Sequence, residues 1–484
     1  MLPLSKDVLD VVMLNLQRYV APQITTDDGR LTLLMINYAL SCAYVEEHEL
    51  PELQQQRFTA LQPVFAGLRE HLDKIDVNQA TDLVGDARTA IRQALLAPQD
   101  SEATDRALQL ALQATYNGNA PLPDWKRTMF ETETRFTGQL TEKMEYWAYG
   151  QAAQNIPEIG QRQLTAGVLT DYLQHHFPQY PSIKAASVVE IPGGFSKKTY
   201  KLSLSDGPQG WDQLVIRQDA IGGPTPFSCI DEVEVLKLAE KYNIPHGNVV
   251  HSEPSKELES PFLLMLKQPG VCSMDAWKVK GPDGKLPGEH LARHVAALHH
   301  VPLTELAHHD ANLSPQEVIR KRIFALEARW RRDRPMADPL LELVVQWLKT
   351  HIPTDITQVC IIHEDFSDRN ILVDNGRLSA ILDWELWNVG DPMFDMAYIR
   401  PFIQQSMEWQ HFVDIYEASG GFKVSMTNDN YWFIFSEVRN TMMLASALRT
   451  FVDGRNRNLK TIGPVLGHYR RCLGVAMQRL KPLL

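Results

Sequence analysis

Two hydrophobic periods divide this chain. Through about the first 150 residues apolar side chains recur every three or four positions, the spacing of an amphipathic helix. Val8, Val12, Leu16 and Tyr19 share one face behind Ser5, whose hydroxyl can cap a helix start. Pro22 and the Thr25-Thr26-Asp27-Asp28-Gly29 cluster end that helix. The pattern predicts further helices over 30–48, 52–75, from 78 or 81 to the residue before Pro98, 101–116 and 124–147, with Pro63 as a kink point. These segments show neither a repeat nor a chemical motif, which points to a helical bundle serving docking or oligomerisation.

Near residue 184 the period falls to two. Segments 185–191, 199–204, 214–217 and 261–266 read as strands, separated by Pro192-Gly193-Gly194 and Asp206-Gly207-Pro208. A helix is predicted over 228–242. After Pro269-Gly270 the pattern is helical again, interrupted by a hairpin within 359–383. The fold class expected is α+β: an all-α domain (1–150), a small antiparallel β lobe (160–270) and a helical lobe (271–484), with a cleft between the two lobes.

Charge and cysteine content narrow the function classes. The 484 residues carry 48 Lys and Arg against 59 Asp and Glu, a net charge of −11, which excludes a general electrostatic grip on nucleic acid. The five cysteines, at 42, 229, 272, 360 and 472, form no CxxC pair, so neither a disulfide framework nor a zinc finger is expected, and a reducing cytoplasm suits them. Lys6, Asp7 and Asp10 interrupt any signal-peptide core. The uncharged stretch 31–45 would span about 22 Å as a helix, short of the roughly 30 Å hydrocarbon layer, so no membrane association is expected. The adjacent histidine pairs 175–176, 299–300 and 308–309 lack metal-ligand spacing, and no HExxH occurs.

The chemistry concentrates between Ile361 and Trp384. Two apolar runs, 371–373 and 378–382, flank Asp374-Asn375-Gly376, a hairpin signature. Asn370 and Asp383, thirteen residues apart, are expected to face each other across its open end. An amide oxygen and a carboxylate there suit a hard divalent cation such as Mg²⁺ alongside phosphates. Asp365, five residues before Asn370, is placed to accept a proton from an attacking hydroxyl. Two metal-holding groups and one base are the equipment of phosphoryl transfer.

On these residues the chain resembles the aminoglycoside phosphotransferase and choline kinase-like family, over about two thirds of its length. Gly193-Gly194-Phe195-Ser196-Lys197-Lys198-Thr199-Tyr200 is similar to the family's GGxSNxTY turn, with Lys197 where Asn is usual. Leu298-His299, Asp383-Trp384-Glu385 and Gly390-Asp391-Pro392-Met393-Phe394-Asp395-Met396-Ala397-Tyr398 resemble further family segments, in family order. The resemblance implies a bilobal kinase-like fold, ATP and Mg²⁺ as cofactors, Asp365 as catalytic aspartate, and Asn370 and Asp383 as metal ligands. It also implies that Gly193, Gly194 and Ser196 approach the nucleotide phosphates, and that adenine stacks past a hinge within 261–269 that includes Met265. His363 is expected to brace the catalytic loop, and Asp391 and Asp395 to hold backbone. Arg217 stands where kinases usually carry Lys, with Glu232 as its partner. That substitution points to the branch fused to acyl-CoA dehydrogenases, and it also supports a rival reading as a pseudokinase or scaffold.

The acceptor is expected to be a small-molecule hydroxyl. Window 320–334 holds seven cations (Arg320, Lys321, Arg322, Arg329, Arg331, Arg332 and Arg334) and two anions (Glu327 and Asp333) around the apolar stripe Ile319, Ile323, Leu326 and Trp330. A basic helix face near the acceptor would suit an anionic alcohol such as a hydroxyacyl-CoA better than a polycationic aminoglycoside or a choline-like alcohol. The helical first domain is the expected surface for self-association or a protein partner.

Overall fold

A computed structural model describes the chain from residue 50 onward except 76–81, 99, 116–123, 150–163, 192–195, 221–226, 309–311, 335–336, 426, 453–458 and 484; before residue 50 it describes isolated positions. The two helices expected before residue 49 lie outside the described residues, as do Gly193 and Gly194. Those described form two compact units: Met1–Ile159 with Ile323–Ile352 and Glu437–Leu484, and Gly160–Arg322 with Pro353–Ser436. No helix among the described residues is long and apolar enough to cross a membrane.

The first unit is helical. Its helices Leu50–Asp73, Asp82–Leu96, Ser101–Ala114 and Asp124–Tyr149 follow the expected segments within a few residues. Leu61, Val64, Phe65, Leu68 and Leu72 are buried at helical spacing, and the helix runs through Pro63. Asp100 caps the third helix on the Ala103 N–H. The unit also takes in segments that the linear division assigned to the C-terminal lobe. Helix Pro339–Thr350 buries Leu340, Leu341, Leu343, Val344, Val345 and Leu348 there, and with them a carboxylate, which needs partners when removed from water. Glu342, in helix Pro339–Thr350, accepts from Gln109 (3.1 Å), Gln113 (3.0 Å) and both terminal nitrogens of Arg331 (2.9 and 2.8 Å). Tyr469 similarly donates to Asp338 at 2.7 Å.

The second unit opens with helix Ala166–His176 and a five-stranded antiparallel sheet. Its strands are β1 (Lys184–Ile191), β2 (Lys197–Ser205), β3 (Gln213–Asp219), β4 (Val249–Glu253) and β5 (Phe262–Leu266), in the spatial order β1-β2-β3-β5-β4. Residues Val249–Glu253 carry only two apolar side chains before His-Ser-Glu, so hydrophobic alternation did not reveal this edge strand. Alternation along β3 buries Leu214 and Ile216 on one face and turns Arg217 to the other. Leu214, Ile216, Tyr200 and Leu202 share a core with Leu169, Tyr172 and Leu173 of the preceding helix.

Helical segments then surround two short ribbons: β6 (Cys360–Ile362) with β9 (Asn388–Gly390), and β7 (Ile371–Asp374) with β8 (Arg377–Ile381). Asn375 (φ 46°) and Gly376 (φ 75°) are both left-handed, as a two-residue type I′ turn requires. Phe366, Ile371, Trp384 and Met396 join Leu291 and Val295 of helix Pro287–His299 in a second core.

Candidate active site

The loop between β6 and β7 is held from beneath by a chain of buried polar groups. Phe422 N–H donates to the Tyr416 hydroxyl (3.2 Å), which meets His299 Nδ1 at 2.7 Å; His299 Nε2 lies 3.2 Å from Asp395. Asp395, fully buried, accepts the backbone N–H groups of His363 (2.9 Å) and Glu364 (2.8 Å). These bonds hold Glu364 in its left-handed conformation (φ 70°), where a non-glycine residue is strained unless the surroundings fix it. His363, also fully buried, accepts the Asp365 N–H on Nδ1 (3.2 Å) and faces the Leu382 carbonyl through Nε2 (3.0 Å). Its ring therefore braces the loop and is spent on structure. Asp391 caps helix Pro392–Ile403 on the Met393 N–H, and burial pushes its carboxyl up to about 7.

Asp365 sits on this support with both carboxylate oxygens engaged. Asn370 Nδ2 donates to Oδ2 at 2.7 Å, and the Tyr398 hydroxyl donates to Oδ1 at 2.7 Å. Asn370 Nδ2 also reaches the Asp365 carbonyl at 2.9 Å. The amide NH₂ is thus turned to Asp365, and the amide oxygen is turned away from it. Sequence reasoning missed Tyr398 as a site residue, because nothing local links it to a carboxylate 33 positions earlier.

The hairpin register corrects one expectation. Ile371 pairs with Ile381 and Asp374 with Arg377, with a bulge between Leu372 and Val373. The turn centres on residues 375 and 376, so the residue opposite Asn370 is Leu382, whose N–H donates to the Asn370 carbonyl at 2.7 Å. Asp383 lies one position beyond, in a left-handed conformation (φ 65°) at the start of the short helix Trp384–Leu386. Its carboxylate accepts from Arg217.

Arg217 is the hub of the second half of the site. Its Nε donates to Glu232 Oε1 at 3.2 Å while a terminal nitrogen contacts Asp383. Glu232 belongs to the turn Cys229–Glu232, which Ser228 opens with a capping box closed by Asp231. Glu234 instead accepts the Ala307 N–H. Burial disfavours the Arg217 charge, but Asp383, Glu232 and Glu385 outweigh it and hold the guanidinium above its ordinary range. Burial pushes Glu232 up to about 7 against the pull of Arg217, with Asp383 and Glu385 adding to the rise. Burial also acts on Asp383, yet Arg217 holds that carboxyl below its ordinary value.

A second cation completes the cluster. Lys197 is 4% exposed and donates to Glu385 (2.8 Å) and the Phe227 carbonyl (2.8 Å), with Asp219 at 3.6 Å. Ser196 donates to the other Glu385 oxygen at 2.8 Å. The sequence marked Lys197 only as a departure from the family turn; its buried ion pair depends on β2, β3 and the Asp383-Trp384-Glu385 segment meeting. Lys197 and Arg217 together face Asp219, Glu232, Asp383 and Glu385, an acidic excess that favours binding of a cation. Met265, half-buried on β5, opposes Val215 and Val249, and its methyl group packs at Gly247.

The basic window is largely paired internally. Arg322 contacts Glu364 and lies between the rings of Phe394 (5.5 Å) and Phe435 (5.3 Å). Arg331 pairs with Glu327 and Glu342, and Arg332 with Asp333. Ile319, Ile323 and Trp330 are buried as the stripe predicted.

Residues 187–422 match the model described as the phosphotransferase enzyme family. The chain is 26% identical over 226 residues to acyl-CoA dehydrogenase family member 10 of Mus musculus, a match covering 44% of this chain and 20% of that protein. It is 33% identical over 259 residues to family member 11 of Rattus norvegicus, covering 51% of this chain and 32% of that protein. These matches thus span about a third or less of the curated relatives. A solved putative aminoglycoside phosphotransferase from Ralstonia eutropha aligns at 19% identity and a TM-score of 0.46, over 65% of this chain and 97% of its own.

Proposed function

We propose that this chain, whose residues 187–422 match the phosphotransferase enzyme family model, transfers a phosphoryl group from ATP, with Mg²⁺, to a small-molecule hydroxyl. The observation that carries this reading is the arrangement around Asp365: a carboxylate oriented from two sides, an amide oxygen on Asn370 turned away from it, and Asp383 just past Leu382, which is bonded to Asn370. The donors offered by Asn370 and Asp383 are hard oxygens, which fits Mg²⁺.

Asp365 orients the acceptor hydroxyl and takes its proton. Tyr398 and Asn370 keep the carboxylate in one rotamer, so little orientational freedom is lost on approach to the transition state. Arg217, steadied by Glu232, neutralises phosphate charge, and Lys197 supplies a second positive charge near Asp383. Asn370 and Asp383 would hold Mg²⁺, which would supply charge to offset that developing on the phosphates. Catalysis is positional and electrostatic.

A cavity of about 420 Å³ has a lining of mixed charge, with Lys321 and the Glu364-paired Arg322 beside Glu234, His308 and Trp387, so the acceptor class is decided by assay, and a hydroxyacyl-CoA is one alcohol to be tried. The test is Mg²⁺-dependent ATP turnover across CoA thioesters, amino sugars and choline-like alcohols, for the wild type and Asp365→Asn. The variant should lose about 10²–10⁴-fold in kcat while still binding ADP. Equal turnover by both would remove Asp365 from this role.

A second reading, a nucleotide-binding scaffold without turnover, is favoured by the Arg217–Asp383 contact, which engages a metal ligand. Nucleotide binding with no turnover on any alcohol would favour it.

A further inference from the structure

Helix Ala166–His176 and edge strand β4 bring together side chains that the phosphotransferase reading does not use. Tyr172 and His176 are four residues apart and share a helix face, their rings stacked at 4.1 Å. His251 and Glu253 are two residues apart on β4 and share a strand face. The Tyr172 hydroxyl lies 2.8 Å from both His251 Nε2 and Glu253 Oε2, so these two groups converge on one point. The His176 and His251 rings are 5.6 Å apart. One ligand atom from each of His176, His251 and Glu253 falls within 4.8 Å of the others. Glu257 lies beside His176, with Oε2 3.0 Å from His176 Nε2.

We propose that His176, His251 and Glu253, with Glu257 as fourth ligand, form a zinc site that clamps the helix to the sheet edge. Two imidazoles and carboxylates are donors that suit Zn²⁺ and do not suit Mg²⁺ or Ca²⁺. Ligands bound at tetrahedral zinc stand about 3.3 Å from one another, so the 3.0 Å His176–Glu257 contact already has that span, and the donors of His176, His251 and Glu253, within 4.8 Å of one another, would draw in by about 1.5 Å or less on binding. Two neutral imidazoles and two carboxylates leave no net charge around Zn²⁺. The Tyr172 hydroxyl, donating to Glu253, is placed to orient that ligand from outside the metal. Adjacent histidines are poor co-ligands, and this site obeys that rule: His176 is joined by His251, 75 residues on, and not by His175.

The test uses the full-length chain stripped by chelation and titrated with Zn²⁺, and with Co²⁺ as a spectroscopic probe. One Zn²⁺ per chain is expected, with a rise in Tm and the absorption of tetrahedral Co²⁺. His176→Gln and His251→Gln should each weaken binding at least tenfold and abolish the Tm rise, whereas His175→Gln should bind as wild type. Glu253→Gln, which keeps a partner for Tyr172, serves should a histidine variant fail to fold. Absence of binding by the wild type, or unchanged Zn²⁺ affinity in folded His176→Gln, His251→Gln or Glu253→Gln, would overturn the site. The readout is metal binding, so the outcome is independent of phosphotransfer.

Discussion

Arg217 on β3 grips Asp383 across 166 residues of sequence while its Nε holds Glu232. One guanidinium thereby joins the sheet, the turn Cys229–Glu232 and the segment that follows the β7–β8 hairpin. A lysine ammonium at this position is a single point charge, whereas the planar fork of arginine serves two carboxylates along separate directions. Arg217→Lys is expected to leave the chain folded but to loosen one of the two contacts, lowering kcat/KM for the nucleotide about tenfold. Steady-state kinetics at varied ATP, with calorimetric ADP binding, measures this. An unchanged kcat/KM would mean that one charge suffices.

Glu232 makes stability depend on pH. Its folded value, about 7, lies above the ordinary 4.5 because the side chain is buried. A carboxyl raised on folding binds its proton more tightly in the native state, so its contribution falls as pH climbs from about 4.5 to about 7. Glu232→Gln removes this titration. The variant should therefore gain on the wild type between pH 5 and 8, by an amount on the order of 2–3 kcal/mol. Urea denaturation across that range provides the comparison, and parallel curves for the two proteins would contradict it.

Tyr398→Phe removes a side-chain donor on Asp365 Oδ1 and little packing. Stability should change by about 1 kcal/mol or less, whereas kcat should fall about tenfold as the carboxylate gains a rotamer. KM for ATP should stay level, because the hydroxyl contacts Asp365, the base we propose for the acceptor. A rise in KM with kcat intact would assign Tyr398 to binding.

Gly376 has φ 75°, and a Cβ built there would stand 2.5 Å from the backbone of Lys280 and Gly281. Gly376→Ala should destabilise the chain by roughly 1–3 kcal/mol, from the left-handed conformation and the displaced backbone together. Gly284, also left-handed (φ 75°) but facing open space, is the comparison, and Gly284→Ala should cost about 1 kcal/mol. Chemical denaturation of the two variants separates strain from collision.

Local chemistry determined a good part of this protein. The two hydrophobic periods located the four described helices that begin between residues 50 and 124 and four strands of the sheet; Asn375-Gly376 specified the hairpin turn; and the spacing from Asp365 to Asn370 marked the loop that we propose is catalytic. Each rests on forces acting within a few residues: helical or strand periodicity, left-handed tolerance, capping. Tertiary structure decided what those forces do not reach. The turn at residues 375 and 376 excluded an Asn370–Asp383 pairing, and a one-residue bulge then moved the residue opposite Asn370 from Ile381 to Leu382, because register depends on the whole ladder. Residues 323–352 joined the helical unit, where helix Pro339–Thr350 buries its apolar side chains and Glu342 meets Arg331, Gln109 and Gln113. Tyr398 reached Asp365, Lys197 reached Glu385 and His176 met His251 only where separate elements packed. Desolvated charges and hydrogen-bonding groups must find partners wherever packing leaves them, and that requirement is met in space, not along the chain.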